Sequence, residues 1–367
     1  MKIAFITNIC SHYRVKLFEK ISENYNTQFV FFSKGNEWYS EKKNKIHKGK
    51  FKEIHKNGLK LFSHLLFSDY DIVIKCINNK LNLLISFFYA KLFGKCFILW
   101  TGVWMQPKTI FHILTFPLIK FIYKHSDAIV VYGKHIEKYL NNLGVKSEKI
   151  FIAWNTIDND LFNSKVLNED ELQIKKSINI NNEKVILYVG RLSEEKGLEY
   201  LFEAFFMIQK ELDIVLLIIG EGSKKKFLEN MVYQLQLKKI FFLNYVANND
   251  LHKYYSMADV FVLPSISTKK VKEPWGLVVN EAMNQGCPII VTNAVGAAVG
   301  GLIDDGINGF VVEEKNSGEL AKVITKILTN DDLSNSMREA SFEKIKNWNY
   351  DFQVSGFFNA IRYVNEK

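Results

Sequence analysis

Cysteine is scarce in this chain. Its four cysteines, Cys10, Cys76, Cys96 and Cys287, lie far apart and form no CxxC pair. That excludes a disulfide scaffold or a zinc ribbon and suits a reducing compartment. Long apolar runs are missing too. No uncharged stretch reaches the ~18 residues of a membrane-spanning helix. The nearest are 81–90, closed by Lys91, and 110–119, interrupted by Pro117 and closed by Lys120. The opening Met1-Lys-Ile-Ala-Phe-Ile-Thr7 is too short for a secretory core and reads as a first buried strand. The eight histidines show no HxH or HExxH spacing, which argues against zinc. GxSxG and GxxxxGK[ST] are absent, and no GxGxxG follows the first strand. With 48% hydrophobic and 24% charged residues and a mean hydropathy of −0.05, disorder and collagen-like structure are excluded.

Acidic residues are short in one half only. Residues 1–165 hold 25 Lys and Arg against 12 Asp and Glu, giving +13. Residues 166–367 hold 23 against 27, giving −4. An AT-rich codon bias explains abundant lysine, but not a deficit of carboxylates confined to one half. A basic half calls for an anionic partner: a membrane surface, a phosphate-bearing substrate or nucleic acid.

What the chain does have is alternation. Short apolar runs alternate with helical patterns, the signature of α/β domains with parallel sheets. Strands are predicted at 2–7, 27–32, 71–75, 95–100, 127–132 and 150–153. A second series falls at 184–190, 214–220, 240–246, 260–264, 288–292 and 310–313. A helix over 196–211 places Leu198, Leu201, Phe202 and Phe205 on one face. The polar stretch 163–183 reads as a hinge. The predicted organisation is an N-terminal domain over 1–162, a second domain over 163–348 and a terminal helix, 349–367, returning to the first. Each domain is doubly wound, with the two facing across a cleft and ligands at the carboxyl ends of the strands.

Two junctions carry chemistry. Glu273-Pro-Trp-Gly-Leu-Val-Val-Asn-Glu281 places Glu273 in a loop and opens a helix, predicted over 277–285, after the strand 260–264. The amides of Gly276, Leu277 and Val278, at the positive end of the helix dipole, form an anion site. Glu273 at its lip and Glu281 about a turn inside suit sugar hydroxyls. The second junction, Gly190-Arg-Leu-Ser-Glu-Glu-Lys-Gly197, sets Arg191 and Lys196 where two cations could hold a diphosphate. The plainer reading is two surface cations beside Glu194 and Glu195. Asp69-x-Asp71 and Asp158-x-Asp160 lie at the wrong sheet end and in the linker, so structural roles are expected there and no metal site.

Together with Ile219-Gly-Glu-Gly222, Asp259-Val-Phe-Val-Leu-Pro-Ser265 and Asp305-Gly-Ile-Asn-Gly-Phe310, these stretches resemble the GT-B superfamily. Specifically, they resemble the retaining family 4 of nucleotide-sugar glycosyltransferases, with its Glu-x7-Glu signature. Thr7-Asn-Ile-Cys-Ser-His-Tyr-Arg14 and Trp154-Asn-Thr-Ile-Asp158 match more loosely.

The resemblance implies a GT-B fold and a glycosyltransferase acting with retention on a glycan or lipid-linked acceptor, as in cell-surface polysaccharide synthesis. It implies catalytic roles for Glu273, Arg191 and Lys196. Arg191 and Lys196 would neutralise the donor diphosphate without a metal or cofactor, while Glu273 meets the sugar. Gly190, Gly276, Leu277 and Val278 would line the phosphates, Glu281 would bind the ribose, and the backbone of Val246 would read the base. Asn8 and Arg14 would contribute from the first domain. UDP is the default nucleotide by the family's commonest usage.

One departure stands out: Trp100-Thr-Gly-Val-Trp104 lacks the first-domain His of many members, and nearby His112 falls in a helical pattern. The helices around 81–95 and 108–124 are expected to bury most of their apolar atoms, leaving a lysine rim for an anionic inner-membrane surface. The expected location is cytoplasmic and peripheral, with no nucleic-acid partner. The alternatives are a sugar-nucleotide epimerase of related fold, or a non-catalytic basic protein binding membrane or nucleic acid.

Overall fold

A computed structural model describes residues 1–33 and 49–366 as two α/β units. The first comprises Met1–Trp104, Ile110–Ile157 and Asn349–Lys367; the second comprises Met105–Thr109 and Asp158–Trp348.

In the first unit the chain runs β1 (Lys2–Thr7), α1 (Val15–Asn24), β2 (Asn26–Phe31), β3 (Lys52–His55), α2 (Leu59–Ser68), β4 (Ile72–Cys76) and α3 (Lys80–Leu92). It continues through β5 (Cys96–Thr101), α4 (Ile110–His125), β6 (Ala128–Val131), α5 (Lys134–Asn142) and β7 (Ile150–Ile152). All strands pair in parallel in the order β3-β2-β1-β4-β5-β6-β7. The central strands are buried on both sides, as a parallel sheet between two helix layers requires.

The second unit holds α6 (Asn159–Phe162), α7 (Asn168–Ser177), β8 (Lys184–Val189), α8 (Leu198–Ile208), β9 (Ile214–Ile219), α9 (Lys225–Gln234) and β10 (Ile240–Leu243). Next come α10 (Asn248–Ser256), β11 (Val260–Leu263), α11 (Leu277–Met283), β12 (Ile289–Thr292), α12 (Gly296–Gly300), β13 (Gly309–Val312), α13 (Ser317–Leu328) and α14 (Asp331–Lys346). Its sheet is parallel in the order β10-β9-β8-β11-β12-β13. In both sheets the order reverses beside the first strand, between β1 and β4 and between β8 and β11. The carboxyl-end crevice at such a reversal is where open α/β sheets take ligands.

Asn349 caps the last helix, α15 (Tyr350–Asn365), its side chain accepting from Phe352 N–H at 3.0 Å. The helix belongs to the first unit. Phe357 is fully buried there, its ring 5.7 Å from Phe5 and 5.5 Å from Trp100. On that side of the sheet α15 shares a core with α1; α2 to α5 cover the other side.

Four details differ from the sequence reading. The edge strand β3 reads Lys-Glu-Ile-His and has no apolar run to betray it. A helix, α7, forms inside the expected hinge with no buried residue, so periodicity had nothing to report. The division falls after Ile157 rather than 162, because the Asn159 amide donates to Ile345 O and Trp348 O, both at 3.1 Å.

The fourth concerns the helices expected to bury their apolar atoms. In α4, which continues past Pro117, only Ile122 and Tyr123 are buried; Ile110, Phe111, Ile113 and Leu114 are exposed.

Candidate functional site

The loop after β8 is held by main-chain contacts. Gly190 N–H donates to Ile219 O at 3.0 Å, Leu192 N–H to Glu221 O at 2.9 Å and Lys224 N–H to Leu192 O at 2.8 Å. The loops after β8 and β9 therefore lie backbone to backbone. A Cβ on Gly220 would stand 1.9 Å from Gly190 O, and one on Gly222 would stand 2.2 Å from Leu192 O. That close approach is why the sequence reads Gly-Glu-Gly here. From beneath, the buried Tyr188 hydroxyl donates to Arg191 O at 2.7 Å; burial holds this phenol well above its ordinary pKa.

A short turn, Glu194–Lys196, then delivers Lys196 inward. Ile266 N–H fixes the turn by donating to Glu195 O at 2.9 Å. Lys196 is buried, and its ammonium pairs with the Glu273 carboxylate; Ser265 Oγ donates to the same carboxylate oxygen at 3.4 Å. The plainer reading of Lys196 as a surface cation fails. A charge taken out of water needs a partner, and Glu273 is that partner.

Glu273 is itself clamped. Its carbonyl accepts from Gly296 N–H at 3.1 Å and that of Trp275 from Ala297 N–H at 2.8 Å. The buried Trp275 ring donates from Nε1 to Asn280 Oδ1 at 2.8 Å. Gly276, at φ +90°, turns the chain into α11. Its φ and the nearness of Leu263 leave no room for a side chain. The first N–H groups of α11, from Leu277 and Val278 onward, have no acceptor within their own helix.

Arg191 is different. Its side chain is largely exposed and pairs with Glu195 at 3.2 Å. Burial tends to raise the Glu195 carboxyl, but the Ser193 hydroxyl, a backbone hydrogen bond and the Arg191 charge together hold it below its ordinary pKa. Glu281 sits further in, where Tyr255 O–H donates to it at 2.7 Å. Desolvation pushes its carboxyl up to about 7 against the lowering effect of that hydrogen bond. Val246 lies in the loop after β10, two strands from β8.

Thus β8 and β11, which are hydrogen-bonded neighbours, bring Gly190, Arg191, Lys196, Glu273, Gly276, Leu277 and Val278 to one sheet edge. In the first unit Asn8 and Arg14 meet beyond β1. Arg14 donates to Asn8 Oδ1 at 3.5 Å and to Tyr132 O–H at 3.3 Å, and its guanidinium lies 4.5 Å above the Trp100 ring.

Three residues were missed. Lys75, at the end of β4 beside β1, is fully buried. It donates to Asn78 O at 2.7 Å and to Cys76 O, and lies 4.6 Å above the Phe32 ring. Burial lowers its pKa. A lone charge inside an apolar strand run was its signal in the sequence. His135, at the start of α5, sets its ring edge-on to Trp104 at 4.9 Å, near the place where the family's His was sought. Tyr255 had no sequence signal.

His112 keeps to its helix, with burial and then Lys80 lowering its pKa. Asp69 pairs with Lys95 at 2.8 Å and Asp71 accepts from Lys2 N–H at 2.7 Å. Among the described residues no group of three His, Cys, Asp or Glu could hold a metal.

Residues 170–344 match the family model described as glycosyl transferases group 1. An uncharacterized glycosyltransferase of Methanocaldococcus jannaschii is 33% identical over 212 residues, 56% of this chain and 52% of that protein. The chain spans about half the length of the curated relatives it matches. Among solved structures, HepE of Anabaena in complex with UDP aligns with a TM-score of 0.81 at 16% identity, covering 99% of this chain and 100% of the other. The lipopolysaccharide outer core galactosyltransferase WaaB, in its apo form, aligns at 0.72 and 18%, covering 98% and 99%. Both likenesses concern the fold. The segment that carries Arg191, Lys196, Glu273 and Glu281 thus matches the glycosyl transferases group 1 family, and the two Rossmann-like units are those of the GT-B fold.

Proposed function

We propose that this protein transfers a sugar from a nucleotide-sugar donor, UDP-linked by default, to a glycan or lipid-linked acceptor. Transfer proceeds with retention, without a metal, at the inner face of a membrane. The observation that carries the reading is the buried pair of Lys196 and Glu273 at the strand-order reversal of the second sheet.

Lys196 and Arg191 oppose the charge that grows on the departing diphosphate, the transition-state charge that fixed donors stabilise best. The first amides of α11 take the outer phosphate oxygens, Glu273 meets the sugar, Glu281 the ribose, and the Val246 backbone the base. Two side-chain cations take the place of a divalent ion. The UDP complex of HepE supports the donor class, and the likeness to WaaB, a lipopolysaccharide outer core galactosyltransferase, supports the acceptor class.

A donor screen with and without glycan and lipid-linked acceptors tests the reading, run in EDTA. Acceptor-dependent release of UDP that survives chelation is expected. Epimerised donor in the absence of any acceptor would replace this reading with an isomerase. Turnover lost in EDTA and restored by Mg²⁺ would end the metal-free assignment.

A further inference from the structure

Helices α2, α3 and α4 lie on one side of the first sheet, their inner faces sharing a core through Leu61, Leu65, Leu83, Phe87, Ile122 and Tyr123. Their outer faces are also apolar. Phe67 is 88% exposed, Ile110 78%, Leu92 77% and Leu114 74%.

On α4 the exposed Ile110, Leu114, Leu118 and Phe121 fall at i, i+4, i+8 and i+11, which is one stripe along the helix. The helices α3 and α4 touch, with Lys80 lying 3.8 Å above the Phe111 ring and Phe87 meeting Phe121 at 6.1 Å. The exposed Leu81 and Phe88 of α3 are the sequence neighbours of the two residues that make this contact, Lys80 and Phe87. Apolar surface on this scale, left uncovered, marks an interaction site rather than ordinary exposure.

Charge identifies the occupant. No Asp or Glu occurs from Ile72 to Ser126, whereas Lys80, Lys120 and Lys124 fall there beside Lys91 and Lys95, which pair with Asp127 and Asp69 at its margins. The stripe on α4 ends in Lys124 and His125, the imidazole stacked on Phe121 at 3.9 Å. A second copy of the same face would bring like charges together. An anionic bilayer satisfies both components: acyl chains for the stripe and headgroups for the lysines. No described helix is long and apolar enough to cross a membrane. At 16 residues α4 is about 24 Å long, short of the hydrocarbon thickness. It suits the interface.

We infer that α2, α3 and α4 form a face that docks on an anionic lipid surface, with the first turns of α4 inserted among the lipids. The inference deepens the functional reading, because it makes the acceptor's source a membrane. Those first turns follow β5, so they lie toward the carboxyl edge of the sheet, where Asn8 and Arg14 stand after β1. A lipid-borne acceptor would thus arrive at the ligand edge of the first unit rather than behind it.

Vesicle flotation of the full chain tests this, using phosphatidylcholine alone and phosphatidylcholine with phosphatidylglycerol, at low and high salt. The wild type should float with anionic vesicles at low salt and much less with neutral ones. Ile110→Ser with Leu114→Ser should abolish flotation on both. Lys120→Glu with Lys124→Glu should weaken anionic binding by at least roughly fivefold per lysine, and the difference should fade in salt.

All four positions are partly or well exposed, so folding should be unaffected; UDP binding by thermal shift, equal in all variants, checks it. A wild type that ignores anionic vesicles at low salt overturns the inference. So does a serine variant that floats like the wild type, or a dimer in light scattering that the serine substitutions dissolve. Failure of the donor screen with flotation intact would remove the enzymatic reading alone.

Discussion

Lys196 and Glu273 are each other's counter-ion before any donor arrives, which changes what their substitutions should do. Glu273→Gln removes the charge that lets Lys196 stay buried, so it should disturb diphosphate binding as well as sugar transfer. The two positions should be coupled. In a double-mutant cycle of Lys196→Ala and Glu273→Gln, denaturation should return a coupling energy of roughly 0.5–3 kcal/mol. Additive single-mutant effects would show that the pair does not form in solution. Arg191→Ala, at an exposed ion pair, should leave stability within about 1 kcal/mol of wild type while weakening the donor; a large loss of stability would misplace it.

Glu281 adds a pH signature. Its folded pKa of about 7 lies above the ordinary value of 4.5, so the unfolded chain ionises first. The stability that depends on this carboxyl is fully present below pH 4.5 and falls as pH rises toward 7. The total is on the order of 3 kcal/mol at most. Glu281→Gln should erase this slope, and denaturation of both proteins at pH 5 and pH 8 measures it. Parallel losses in the two would place the carboxyl in water.

At the scale of elements, much of this molecule was legible. Nearly every strand was read within a residue or two, because parallel strands buried on both faces leave continuous apolar runs. The Glu273 loop and the Gly190 loop were legible because Pro274, Gly276 and Gly197 mark their turns. What was not legible had no local cause. Strand β3 is an edge with polar side chains, and α7 buries nothing. The outward stripe on α4 has the same composition as a buried face, and only a missing neighbour tells the two apart. Lys75 was legible as an anomaly but not as a partner of main-chain oxygens, which requires the loop beyond β4.

The glycine contacts are the element-scale device in the second unit. Gly222→Ala would force its methyl into Leu192 O, so the loop carrying Arg191 and Lys196 must shift. A steric cost above ~1 kcal/mol and weaker UDP binding are expected together. Normal UDP affinity in a destabilised Gly222→Ala protein would separate this packing from the site.

At the scale of the whole molecule, the +13 and −4 halves nearly coincide with two separately compact units. The last helix crosses that sequence boundary: α15 follows the second unit in the chain but completes the core of the first, with Gly356 against the main chain of Ile152 and Ala153. Two units with their own cores need not unfold together, and a single transition is not assumed. Phe357→Ala opens a cavity against Phe5 and Trp100, and should cost the first unit roughly 3–5 kcal/mol. On the proposed function UDP binds the second unit, so it should stabilise only that unit, as ligand linkage requires. Calorimetry of wild type and Phe357→Ala, each with and without UDP, should therefore resolve two transitions that move independently. The substitution lowers one, and the nucleotide raises the other. If UDP instead raised the transition that Phe357→Ala lowers, the donor would be bound by the first unit, and the assignment of Arg191, Lys196 and Glu273 would fall with it.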